Sequence, residues 1–122
     1  MSENRLPDYL EHIQQAATDA RAFVEDLGKA DFLADRRTQQ AVIMSLVIIG
    51  EAATKVIEGY AAFTEAHPEL PWRKMRGMRN RMAHGYFDID LNVVWETAQE
   101  WLPELLTQLP AVRQEADGAK LK

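Results

Sequence analysis

An all-α fold, an antiparallel bundle of four to five helices, is predicted by three observations. Apolar residues recur at three and four positions along most of the chain, the helical period rather than the strand period. The longest apolar stretch, residues 41–53, contains the β-branched cluster Val47, Ile48 and Ile49, but it is too long for an ordinary strand and continues through Lys55 in good helix formers. At 122 residues the chain is long enough for one domain with a real core and too short for two, so residues 1–122 are read as a single domain.

The first helix is expected from Pro7 to about Leu27, where Leu10, Ile13, Ala17, Ala20, Phe23, Val24 and Leu27 form an apolar stripe and Gly28 is available to end it. Asp35 is a good N-cap for a second helix that runs to about Glu58. Its middle is apolar on nearly every side, which places it centrally, packed on its own fold and against a second chain as well. Residues 59–69 read as a connecting loop, with the residue before Pro68 biased away from helical geometry. Pro71 suits the first position of a third helix over Trp72 to Ala83, after which Gly85 can take the left-handed conformation that ends helices. Asp88 and Asp90 are both candidate caps for a last helix from about Leu91 to Leu109. Val93, Val94, Ala98, Trp101, Leu102 and Leu105 are its buried candidates, and Pro103 should kink or interrupt it. The core is thus expected over about residues 7–109. The tail from Ala111 to Lys122 mixes charges with small residues and is expected to fray.

The composition excludes several chemistries. With no cysteine there is no thiolate metal site and no cysteine nucleophile, and His12, His67 and His84 are too scattered in sequence to suggest a histidine metal cluster. Metal-independent chemistry is favoured, and no cofactor is expected. No run approaches the roughly 18 uninterrupted apolar residues of a membrane span, and the N-terminus has no apolar core of a secretory signal. The expected compartment is the cytoplasm, with no membrane partner.

Charge is distributed unevenly. Between Leu70 and Phe87 lie five cations (Arg73, Lys74, Arg76, Arg79 and Arg81) and no acid, although the whole chain carries a formal charge of -5. Among them sits His84. Guanidinium forks bind phosphate oxygens and an imidazole moves protons near neutral pH, so this grouping suits a phosphate-bearing substrate. At a helix C-terminus the dipole favours protonated His84 and the neighbouring cations oppose it, and the sequence leaves that balance open.

Arg79, four intervening residues, His84, one residue and Tyr86 form an Arg-x4-His-x-Tyr pattern, which resembles the signature of the HEPN superfamily of ribonucleases. Around it, Ile48-Ile49-Gly50-Glu51-Ala52, Pro71-Trp72, Arg79-Asn80 and Val93-Val94-Trp95 look like the HepT-type toxin branch, over about Asp8 to Leu109. The resemblance implies a HEPN-like bundle that dimerises through the central apolar helix and the motif-bearing face, so that two motif copies share a cleft. It also implies a metal-independent endoribonuclease acting as the toxin of a type VII-like toxin–antitoxin system. The toxin would be neutralised by a nucleotidyltransferase (MntA-like) antitoxin, in a heteromeric complex or by attachment of AMP to Tyr86. Arg79 and His84 are carried over as catalytic and Asn80 and Tyr86 as supporting, while Arg73, Lys74, Arg76 and Arg81 are candidates for RNA binding.

RNA supplies its own nucleophile, the 2′-hydroxyl. The enzyme need only remove that proton, protonate the leaving 5′-oxygen and stabilise charge on the phosphate, leaving a 2′,3′-cyclic phosphate end. One chain brings one such histidine, and a two-fold dimer brings two. Tyr86 can hydrogen-bond a phosphate or stack on a base. Glu51, an acid within the apolar helix, either bonds a neighbouring helix or backbone group or pairs with a motif arginine, within the chain or across the dimer. The three tryptophans read as core or interface anchors. The rival function is a non-catalytic module of the same fold that binds a nucleotidyltransferase or a nucleotide. The chain lacks the Gly-Ser turn and paired aspartates that would make it the nucleotidyltransferase itself.

Overall fold

Asp35 opens the longest helix: its carboxylate accepts the Thr38 backbone N–H at 3.1 Å and the Thr38 hydroxyl at 2.6 Å. These two bonds, the hydroxyl first, hold the Asp35 carboxyl below its ordinary value. A carboxyl whose folded pKa is depressed contributes stability above its unfolded pKa and loses it as pH falls through the folded one. Asp35→Ala should therefore lower the melting temperature at pH 7, and the gap to wild type should close as pH falls below the ordinary value of 3.8. Thermal melts of both proteins across pH 2 to 7 read this directly, and a gap independent of pH would refute it.

The computed structural model describes residues 4–121, with the side chains of residues 83, 84, 86 and 118–121 outside the described set. The chain is all-α: no strand occurs among the described residues. In order, α1 spans Leu6–Val24, α2 Lys29–Leu33, α3 Arg36–Gly59, α4 Ala61–Ala66, α5 Trp72–His84, α6 Leu91–Glu96 and α7 Leu102–Leu121. A 3₁₀ turn, Tyr86–Asp88, separates α5 from α6, and a π-helical turn, Thr97–Trp101, joins α6 to α7.

The central helix α3 packs against α1 on one side and α5 on the other, and α7 lies along α1. Among the described residues α3 alone is long and apolar enough to cross a membrane, but more than half of its most apolar stretch is buried inside the protein, as in a core helix. Leu10, Ile13 and Ala17 of α1, Val42, Leu46, Ile49 and Val56 of α3, Met75 of α5 and Leu102, Leu105 and Leu109 of α7 form the centre of the core.

Several local expectations change. The first helix ends at Val24 rather than Leu27, and the positive φ falls on Asp26 (69°), a residue type that tolerates it. Gly28, expected as the terminator, instead starts α2, its N–H donating to the Asp31 carboxylate at 3.1 Å. Within the expected loop over residues 59–69, Ala61–Ala66 forms a short helix, with Phe63 packed edge-on against Trp72. Six residues are too few to show a period. Gly85 does follow α5, but at φ -115° and ψ 33°, so it is not left-handed; its N–H still reaches the Arg81 carbonyl at 2.9 Å. Of the two candidate caps, Asp90 caps α6 through the Asn92 N–H at 2.9 Å, and Asp88 belongs to the 3₁₀ turn.

Pro103 produces a widened turn in place of a break. Having no N–H for the Gln99 carbonyl four residues back, and with its ring crowding that carbonyl, it is preceded by the π turn, in which the Leu102 N–H reaches the Thr97 carbonyl five residues back. The tail expected to fray from Ala111 continues α7 to Leu121. Val112 and Ala116 are buried, and the Arg113 guanidinium donates to the Gln14 side chain at 2.8 Å. Glu115 and Asp117 are exposed on the outer face of a helix whose inner face packs on α1, a distinction that composition alone does not make.

Candidate functional site

Glycine at position 50 decides where α5 can lie. A Cβ built there would stand 2.7 Å from the Met75 carbonyl oxygen and 2.9 Å from Arg79 Cα, and would overlap Arg79 Cβ. Only a hydrogen at that position lets α3 and α5 cross this closely. Arg79 consequently rises directly from the crossing, beside the α3 residue that follows the glycine.

That residue is Glu51. Its carboxylate accepts Arg79 Nε–H at 2.9 Å, while Arg79 Nη1 donates to the Asn80 side-chain carbonyl at 2.8 Å. The acid that interrupts the apolar helix thus pairs with the motif arginine, and within one chain. Arg79 is partly covered, at 30% side-chain exposure, and Glu51 half exposed at 50%. Two of the five guanidinium N–H groups are committed, and among the described residues Nη2 has no partner. An arginine held through Nε and Nη1, with Nη2 unpartnered among the described residues, can present that amino group to a phosphate oxygen.

His84 is the last residue of α5, one helical turn after Asn80, and Tyr86 begins the 3₁₀ turn that follows. The backbone therefore brings all three motif positions to the C-terminal end of α5; the side chains of His84 and Tyr86 lie outside the described residues. Asn80, expected to orient His84 or a phosphate, has its carbonyl engaged by Arg79.

The cations do not share one face of α5. Arg76 leans toward α3, its guanidinium 3.6 Å from the Glu58 carboxylate, on the same side as Arg79. Lys74 and Arg81 lie on the other side, lining a cleft of about 350 Å³ against the π turn. There the Lys74 ammonium sits 5.1 Å from the centre of the Trp101 ring. Arg73 is exposed between the two sides. Val93, expected in the core, is exposed and lines the cleft; Trp101 packs against the core as expected and lines the cleft as well, together with Glu96 and Glu100, which the sequence does not single out. A tryptophan directly after Glu100, five residues after Glu96 and two before Pro103, was the available signal. Trp72 and Trp95 do anchor packing, Trp72 donating to the His67 carbonyl at 3.0 Å and Trp95 lying 5.4 Å from the Phe32 ring.

A family model described as "Ribonuclease HepT-like" matches residues 13–112. The chain is 40% identical over 107 residues to a protein of Thermococcus cleftensis named probable ribonuclease HepT, covering 88% of this chain and 94% of that one. It is 35% identical over 106 residues to a protein of Caldanaerobacter subterraneus named as a candidate RNase, covering 87% and 92%. A candidate RNase of Methanocaldococcus jannaschii is 32% identical over 112 residues, covering 92% of this chain and 100% of its own. No solved structure gives a significant match.

Proposed function

This chain belongs to the HepT-like ribonuclease family, and we propose that it is a metal-independent endoribonuclease in which Arg79 and His84 are catalytic. The observation that carries the reading is the Arg79 guanidinium, held by Glu51 and Asn80 with Nη2 unpartnered among the described residues, on the helix that ends at His84. His84 takes the proton from a ribose 2′-hydroxyl as its oxygen bonds to phosphorus. The bond from phosphorus to the 5′-oxygen then breaks, and that oxygen receives a proton from a second acid. Arg79 binds the non-bridging oxygens where negative charge accumulates. The products are a 2′,3′-cyclic phosphate and a 5′-hydroxyl. A two-fold dimer places a second His84 near the first as the acid, and the half-exposed apolar side chains Met44 and Ile48 on α3 provide surface for that contact. Tyr86 supports phosphate or base binding. As the implied target of a nucleotidyltransferase antitoxin, it would carry AMP, whose bulk and negative charge would exclude RNA from this site.

Incubating purified protein with labelled single-stranded RNA in EDTA, beside Arg79→Ala, tests the reading. Cleavage to 2′,3′-cyclic phosphate ends by wild type and its loss in Arg79→Ala are expected. Absence of cleavage by folded, unmodified wild type on several RNAs would favour a binding module instead. Glu51→Gln separates positioning from stability. An ion pair this exposed contributes at most about 1 kcal/mol, so the melting curve should barely move, whereas kcat should fall roughly ten-fold because Arg79 loses its orientation at the phosphate. A variant that loses stability and keeps full kcat would make Glu51 merely structural.

A further inference from the structure

The cleft between α5 and the π turn is outside the Arg79–His84 arrangement and has its own chemistry. Lys74 and Arg81, two helical turns apart, form one wall; Glu96 and Glu100, one turn apart, form the other. Opposite charges facing one another across a gap would normally pair, yet among the described residues none of these four is in a salt bridge. The buried Met78 and Met82 give the cleft an apolar lining, and Trp101 borders it. At about 350 Å³ it is of the size that takes a small planar ligand.

The wall bearing the acids is itself a special backbone feature. Thr97–Trp101 is π-helical, and Arg21 of α1 braces it from behind, donating to the Ala98 carbonyl at 3.0 Å and the Gln99 side chain at 3.2 Å. Such a turn is rare and often found at functional sites, and the inserted residue shifts the faces of the helix relative to one another. Here the result is that Glu96, Glu100 and Trp101 all border one cleft.

We propose that this cleft is a nucleobase subsite for the RNA substrate and that it selects guanine; the inference rests on the ribonuclease reading. Guanine presents two acceptors, O6 and N7, along one edge and two donors, N1–H and N2–H, along another. An arginine meets the first edge bidentately, and a carboxylate accepts from the second. Arg81 and the pair Glu96 and Glu100 supply these complements from opposite walls. Uracil offers no exocyclic amino group to the acids, and adenine presents a donor where guanine has O6. Trp101 stacks on the base, and the Lys74 ammonium leaves the indole for the adjoining phosphate. Arg79 and Arg81 are two positions apart on α5, so one helix would hold the scissile phosphate on one side and a nearby base on the other.

The test is a titration of wild type with guanosine 5′-monophosphate and with uridine 5′-monophosphate, followed by the NMR signals of the three indole N–H groups. The expected result is a shift of the Trp101 signal with a Kd at least about ten-fold tighter for the guanine nucleotide, the discrimination a bidentate contact supplies. In the variant Glu96→Gln with Glu100→Gln, the two Kd values should converge to within about two-fold while the spectrum otherwise shows the same fold. Equal wild-type affinities, shifts confined to Trp72 and Trp95, or preference surviving in the double variant would overturn the proposal. Because no cleavage is needed, the two readings fail separately. Guanine discrimination in a protein that cuts no RNA keeps the subsite and removes the nuclease, and cleavage without discrimination does the reverse.

Discussion

His84→Ala should lower kcat/KM for single-stranded RNA by on the order of 10² to 10⁴, the range a general acid or base contributes. Alanine is the best helix former, so the end of α5 should remain in place and the loss should be chemical. The expected signature is an unchanged circular dichroism spectrum and melting temperature with cleavage reduced at every pH. Wild type should show a bell-shaped dependence on pH if one imidazole acts as base and another as acid across a dimer. A reduction of less than about five-fold would mean that His84 neither accepts nor donates a proton in the rate-limiting step. A single-limbed profile in an active wild type would mean that the second proton donor is not another histidine.

Gly50→Ala should be the most damaging small substitution in the chain. Two effects compete. Alanine in mid-helix is worth about 1 kcal/mol over glycine in propensity, whereas overpacking costs about 1 to 3 kcal/mol and occasionally more. The second effect wins here, because the new methyl would meet the Met75 carbonyl and the Arg79 backbone, which cannot rotate aside. Relief requires α5 to move away from α3, and that movement carries Arg79 off the Glu51 carboxylate, now 2.9 Å away. Stability and cleavage should therefore fall together, in contrast to Glu51→Gln. A variant with wild-type melting temperature and wild-type kcat would show that the close crossing of α3 and α5 is not needed.

What could be read from the residues and what could not divides along local and non-local physics. Helical periodicity and the Asp35 cap are properties of a few neighbouring residues, so the all-α class and the start and approximate end of α3 were legible in the sequence. So was the placement of positions 79 and 84 in the last turns of one helix and of 86 in the turn after it, which depends on local signals alone. Where local signals compete, the sequence was ambiguous. Gly28 and Gly85 both offered helix termination, yet the positive φ fell on Asp26, and Ala111 onward read as frayed because composition does not reveal that Val112 and Ala116 face α1.

The site depended most on tertiary structure. Nothing in the spacing of Gly50, Glu51 and Arg79 specifies that an unsubstituted backbone position on α3 lets α5 approach until the acid and the arginine meet. Nor does the run of five cations reveal that α5 turns two of them toward α3 and two toward the π turn. The amino-acid sequence by itself determined the helices, the cap and the chemistry available at the end of α5. The tertiary structure decided which charges meet, because an ion pair or a cleft depends on distances between helices, and those are set by packing over the whole core rather than by any local run of residues.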